Sequence, residues 1–278
     1  MKGVRSLREM SRLLDSDPRL RKLCLIKKKE NAYPRSVLSR FNRKVGEDNL
    51  NKIIAEKVIK LLKHKHADID AVFDASFIKA WSTRHPLDSQ KGYSDDDARV
   101  GRAGKTFSLG YKIHLSIDAK SMLPLAHVFA SANQNEKKHS LTLLEKTRQI
   151  LSKSKTKIKS VIADSQYSSR RLREAVPQTV IPYPSNQKRD VKGILRVDKK
   201  FRTYGPDELR KEYHKRPSVE AVYSFLKTQY SLATNKVRGL KNITCIALYS
   251  ILCLILNREA AQNIGRPDKA VSPTFFNT

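Results

Sequence analysis

The spacing of apolar residues changes once along this chain, near residue 69, and that change limits what it can fold into. Upstream, Leu50, Ile53, Ile54, Val58, Leu61 and Leu62 recur at helical spacing. Downstream, Ile69, Ala71, Phe73 and Ala75 alternate with Asp70, Val72, Asp74 and Ser76, the period of a strand. Tyr111, Ile113, Leu115 and Ile117 alternate in the same way, and residues 123–131 read as a third strand. A helix through Leu141, Leu143, Leu144 and Ile150 comes next, then a short apolar strand over 160–163, a helix over 168–176 and a fifth strand over 179–183. Three strands in succession, then strands alternating with helices, predict an α/β domain with a mixed (α+β) sheet, antiparallel first and parallel afterwards. Ends of neighbouring strands converge in such a sheet, so acids far apart in sequence can meet. Asp74 falls mid-strand, facing away from Phe73, and Asp164 just beyond the fourth strand.

Charge narrows the partners. Of 278 residues, 56 are Lys or Arg and 27 are Asp or Glu, a net charge of +29. Such an excess points to a polyanion, usually nucleic acid, without choosing between an enzyme, a repressor and a ribosomal protein. Cys24, Cys245 and Cys253 are scattered with no C-x2-C pair, which argues for a reduced compartment and against structural zinc. The opening residues do not read as a signal peptide. The apolar run 243–256 contains Thr244 and Ser250 and is short for a bilayer span. It reads as a buried helix, with no membrane partner and a cytoplasmic location expected.

The chain divides by composition. Residues 1–66 read as a helical, DNA-binding region. Ser6 and Glu9 have capping-box spacing, Asp17-Pro18 suits a second helix start, and Gly46 suits a helix end. Val37, Leu38, Phe41 and Val45 interleave with Arg35, Arg40, Arg43 and Lys44; a helical cap whose charges merely solubilise it would look the same. Residues 67–262 form the sheet-bearing core. Within it, residues 82–106 read as a polar loop, with Asp95, Asp96 and Asp97 solvated. A second loop, 184–208, holds seven basic residues between Ser185 and Arg202 and reads either as a solvated run or as a grip on phosphates. Residues 263–278 read as a flexible tail.

Before the last core helix stands YHKRPSVEAVYSFLK, in which Tyr213, Arg216, Glu220 and Lys227 are spaced Y-x2-R-x3-E-x6-K. Pro217 suits the first helical position. Glu220 and Lys227 then share a face about 10.5 Å apart, while Val219, Val222 and Leu226 form the buried stripe. A carboxylate between two cations suits a site for both a divalent metal and phosphates. A surface helix with an Arg216–Glu220 ion pair would carry the same residues.

This spacing resembles the signature of DDE transposases from bacterial and archaeal insertion sequences. The segments VFDAS around Asp74 and VIADSQYSS around Asp164 resemble the family's first two acidic motifs, with Gln166 standing where a glycine is usual. GYKIHLSID and LPLAHVFASANQNEKKH resemble its second and third strands, and the likeness runs over roughly residues 5–260. It implies a ribonuclease H-like catalytic core in which Asp74, Asp164 and Glu220 are the catalytic carboxylates and the ligands of Mg²⁺ or Mn²⁺. Phosphodiester hydrolysis needs an activated water and charge relief on the leaving oxygen, which two ions roughly 4 Å apart supply. It further implies double-stranded DNA as partner (element ends and target) and a nucleoid-associated homodimer in the synaptic complex. Tyr213, Arg216, Lys227, Arg238 and Lys241 are the expected DNA contacts, and His139 is expected to start a helix. A metal-dependent nuclease of the same fold and a non-catalytic DNA-binding protein remain as alternatives.

Overall fold

The computed structural model describes residues 6–63, 68–83, 92–184, 186, 195–197, 203–272 and 275. Three helices open the chain: α1 (Leu7–Ser16), α2 (Pro18–Leu23) and α3 (Arg35–Leu62). The Ser6 side chain accepts the Glu9 N–H, and Asp17 caps α2 ahead of Pro18. At Gly46 the backbone has φ +62° and breaks α3 into two; a side chain there would be strained in this left-handed region. The helices before that break close on a small cluster of Leu14, Ile26 and Ala32. The second half of α3 belongs to the main core through Leu50, Ile54, Val58 and Leu62.

The sheet contains β1 (Ile69–Lys79), β2 (Arg99–Ala103), β3 (Thr106–Asp118), β4 (Pro124–Ser131), β5 (Ile158–Ala163) and β6 (Thr179–Val180). Its order is β2-β3-β1-β5-β6, and β4 pairs with β3. β1, β2, β3 and β4 are joined antiparallel, whereas β1–β5 and β5–β6 are parallel. That is the order and direction expected for a ribonuclease H-like core.

The polar loop expected over 82–106 is corrected by β2. This strand pairs with the first residues of β3, which begins well before Tyr111. A β-carbon on Gly101 would fall 2.2 Å from the Ala132 carbonyl oxygen, so only glycine lets β2 pass the end of β4.

Each face of the sheet has its own core. On one, Val72, Ile78, Ile113, Leu115 and Ile117 pack with α3, α7 (Pro217–Thr228) and α8 (Leu240–Asn263). On the other, Ala71, Phe73, Val161 and Ala163 pack with Leu143 and Leu144 of α4 (Glu136–Lys153) and Leu172 of α5 (Arg170–Glu174). α8 is apolar and long enough to cross a membrane, and it instead lines the core with Ile243, Ala247, Ile251 and Leu254 all fully buried. Its buried Glu259 takes Lys57 and Lys60 of α3, each at 2.8 Å.

Most of the basic loop lies outside the described residues. Its described parts include the antiparallel pair β7 (Arg196–Val197) and β8 (Thr203–Tyr204) and the start of α6 (Asp207–Tyr213), a helix the apolar spacing had not indicated. In the expected tail, the chain turns back at Pro267–Lys269, where the Asn257 amide donates to the carbonyls of Lys269 and Ala270.

Candidate active site

The candidate site is built on α7. Pro217 occupies its first turn, and Val219, Val222, Tyr223 and Leu226 are buried along one side. Burying each such aliphatic side chain is worth about 2 kcal/mol, so a charge at Val222 would detach the helix from the sheet. Tyr223 extends the expected stripe and adds a polar anchor. Its hydroxyl donates to the Asp74 carbonyl at 2.7 Å, lies 3.0 Å from the Ile113 carbonyl and accepts the Leu115 N–H at 3.1 Å. The helix is thus fastened to β1 and β3 at the residue carrying the first acidic side chain.

Asp74 projects from mid-β1 on the face opposite Phe73. Arg216, at the turn before α7, reaches both Asp74 and Glu220. Its Nη2 lies 3.4 Å from Asp74 Oδ1, and its Nη1 lies 2.7 Å from Glu220 Oε1. The i,i+4 ion pair foreseen for a surface helix is therefore present, and it is part of a larger cluster. One residue earlier, Lys215 takes Asp70 at 2.7 Å, so consecutive cations meet two aspartates of β1, Asp70 closely and Asp74 loosely. Asp70 is further held by the Ser160 hydroxyl, so both of its oxygens are engaged by the protein.

Asp164 follows β5 and accepts the Gln166 N–H at 2.9 Å, capping a 3-10 turn over Ser165–Tyr167. Asp164 is thus a structural cap as well as a member of the cluster. The same carboxylate is close enough to Asp74 to disfavour its ionisation. Burial raises the Asp74 carboxyl to about 6; Arg216 opposes the rise, and Asp164 and Glu220 add to it. Burial likewise raises Asp164, against the pull of Arg216. Tyr213 is pushed up to about 12, chiefly by burial, with Asp164, Asp74 and Glu220 contributing. Lys227 is half-buried and held below the usual lysine range by burial, which the charge of Asp74 partly offsets. Tyr213, Arg216, Glu220, Lys227, Asp74 and Asp164 thus form one electrostatic cluster.

Two or three carboxylates that repel one another around a pocket are the donor type a hard divalent cation takes. Asp74, Asp164 and Glu220 fit such an ion in chemistry and charge. Among the described residues, no three His, Cys, Asp or Glu side chains stand close enough to enclose an ion as they are. The cation between Asp74 and Glu220 is the Arg216 guanidinium. Glu220 is the outermost of the three, with 56% of its side chain exposed.

Other expected residues lie elsewhere. Arg238 and Lys241 are exposed at the start of α8, and Arg238 Nε donates to the Trp81 carbonyl at 3.2 Å. The Lys236 ammonium lies 5.4 Å over the exposed Trp81 ring. Within the acidic run at 95–97, Asp95 and Asp97 are corrected from solvated to structural, while Asp96 is exposed as expected. Asp95 accepts the Tyr111 hydroxyl at 2.6 Å and the Gly239 N–H at 3.2 Å, and Asp97 accepts the Leu240 N–H at 2.9 Å. Both carboxylates cap the start of α8, where unpaired N–H groups favour an anion. His139 lies in the first turn of α4, with its ring 4.7 Å from that of buried His114. His114 in turn meets the Tyr167 hydroxyl at 2.9 Å. Beside Asp164, Asn135, Lys137, Ser165, Gln166, Pro184 and Asn186 surround a pocket of about 310 Å³.

A family model described as "Transposase DDE domain" matches residues 65–256. Among solved structures, the cryo-EM structure of the piggyBac transposase synaptic complex with hairpin DNA is similar, with a TM-score of 0.40 and 11% sequence identity over 72% of this chain and 49% of that one. The present chain therefore spans about half the length of that transposase. No curated protein matches.

Proposed function

Because the chain belongs to the transposase DDE domain family, through a match to most of its length, we propose that it is an insertion-sequence transposase that cuts DNA at element ends and joins the freed strand to target DNA. The observation that carries this reading is the convergence of Asp74, Asp164 and Glu220 around Arg216 from β1, the end of β5 and α7. In this proposal the three carboxylates are catalytic and hold Mg²⁺ or Mn²⁺. Such ions, when bound, activate water and relieve charge on the leaving oxygen. The chain's own contribution is placement. Tyr223 fixes the backbone at Asp74, and the Gln166 N–H fixes Asp164. Burial by α7 keeps bulk water from the inner carboxylates, which strengthens every charge interaction there. Tyr213, Arg216 and Lys227 face the same cluster and would meet the DNA strand being cut. Arg238 and Lys241, on the exposed start of α8, would grip phosphates further out.

The net charge of +29 supports double-stranded DNA as partner. In this proposal residues 1–66, whose first helices close on a small core of their own, serve end recognition, and residues 67–262 the chemistry. A homodimer acting on the nucleoid in the cytoplasm completes the proposal. A non-catalytic DNA-binding protein is favoured by one observation, the Arg216–Glu220 contact at 2.7 Å, which occupies the outer carboxylate. A cleavage and strand-transfer assay separates these readings, with DNA taken from the bases flanking the gene and with Mg²⁺ or Mn²⁺ present. Wild type is expected to cut and join, and Asp74→Asn, Asp164→Asn and Glu220→Gln to do neither while still binding DNA. Binding without cleavage by wild type would leave the non-catalytic reading, cleavage without joining a nuclease. Full activity in EDTA or in any one of the three variants would falsify the metal site.

A further inference from the structure

Arg216 is paired as a charge and underused as a donor. A guanidinium carries five N–H groups in a planar fork. Here one contact is short, Nη1 to Glu220 Oε1 at 2.7 Å, and one is long, Nη2 to Asp74 Oδ1 at 3.4 Å. Its Nε is buried with no partner among the described residues. Buried polar groups in folded proteins nearly always find partners, so this seat leaves the arginine room for a better acceptor. The oxygens it touches belong to two of the three proposed metal-binding side chains. A guanidinium and a divalent cation cannot both take the same lone pairs, and in a partly buried pocket their charges repel. A phosphate diester matches the fork that the carboxylates only half engage.

We propose that Arg216 is an internal counter-ion that holds the divalent-cation position between Asp74 and Glu220 in the free protein and yields it when a DNA phosphate takes the guanidinium. This rests on the metal-site reading above. Its consequence is coupling. DNA strengthens metal binding, and by linkage metal strengthens DNA binding by the same factor. The free protein is then protected from loading metal, and from unguided hydrolysis, until DNA is in place.

The test is Mn²⁺ binding to the full chain, followed by electron paramagnetic resonance, with and without a DNA duplex of arbitrary sequence and with a DNA-only control subtracted. Wild type is expected to bind Mn²⁺ about tenfold more tightly with duplex present, within the usual range of coupling between sites. Arg216→Gln is expected to bind Mn²⁺ about tenfold more tightly than wild type without DNA, and to gain little when DNA is added. Arg216→Lys keeps the charge but not the fork and should fall between them; it also serves if the glutamine variant does not fold. Equal Mn²⁺ affinity of wild type and folded Arg216 variants would overturn the inference while leaving the metal site intact. If Asp74→Asn binds Mn²⁺ as wild type does, the metal-site reading itself has failed and takes this inference with it.

Discussion

Two aspartates lie almost equally deep in this molecule, Asp95 at 3% exposure and Asp74 at 9%, and their surroundings treat them differently. Asp95 is satisfied by neutral donors, the Tyr111 hydroxyl and the Gly239 N–H at the start of α8. Asp74 faces two other carboxylates and one loosely held arginine, and burial raises it to about 6. The contrast teaches that depth does not mark a reactive carboxylate. What sets Asp74 apart is a charge its neighbours answer incompletely, the setting in which perturbed carboxylates at functional sites occur.

The comparison can be broken most directly by exchanging each carboxylate for an amide. Asp74→Asn should lower DNA cleavage by about a thousandfold, the several kcal/mol that metal-assisted charge relief supplies. Asp95→Asn should cleave at near wild-type rate per folded molecule. Equal losses in the two variants, measured at saturating DNA and Mg²⁺, would erase the distinction.

The next largest effect is on stability against pH. Asp74 is raised from an ordinary 3.8 to about 6 in the folded chain, so between those values the folded state holds a proton that the unfolded state has lost. Stability contributed by the protonated carboxyl is present below about 4 and lost as the pH rises through about 6, a change of about 3 kcal/mol at most. Denaturant titrations across that window should show the slope in wild type and a flatter one in Asp74→Asn. An identical slope in both would assign it to other groups.

Asp95→Asn should itself cost about 2 kcal/mol of stability, since it weakens charge-assisted hydrogen bonds to Tyr111 and Gly239 in a buried place. Thermal unfolding at neutral pH reads this, and an unchanged midpoint would return the acidic run to the solvent. Tyr223→Phe should cost about 1 kcal/mol of stability, and proportionally more in cleavage, because its hydroxyl holds the Asp74 backbone. A kcat that tracks only the folded fraction would reduce Tyr223 to a packing residue.

The strand bearing Asp74 was legible because alternation over several residues has one physical reading, and the strand ending just before Asp164 because a short apolar run suits a strand buried on both faces. Lys227 and Glu220 were legible as a shared helix face, but not the partial burial of Lys227 within reach of the Asp74 charge, which depends on how α7 meets β1. β2 escaped because Arg99, Gly101 and Arg102 have no strand preference; it exists through pairing with β3 and the close pass of Gly101 over Ala132. α6 escaped because DELRKEY has only Leu209 and Tyr213 to bury. Asp95 and Asp97 read as solvated since their donors, Gly239 and Leu240, lie more than 140 positions away. Tyr223 had a signal that went unused: it stands on the stripe of Val219, Val222 and Leu226, where a tyrosine needs a partner for its hydroxyl.

The bond between the Tyr223 hydroxyl and the Asp74 carbonyl spans 149 positions of chain, and that between Arg216 and Asp74 spans 142. During synthesis, domains form as the chain emerges, at about 5–20 residues per second. The strands of the sheet are synthesised before α7, although the core on one of its faces is complete only when α7 and α8 join it. For those seconds Asp74 has neither its arginine nor its glutamate, and the lid over it is absent. The growing polypeptide, still tethered to the ribosome, already carries most of its positive charge but has not yet brought Asp74, Arg216 and Glu220 together. On the proposed function, completion of the helix at Glu220 is thus a clock as well as a clamp, separating the moment the chain can touch DNA from the moment it can cut it.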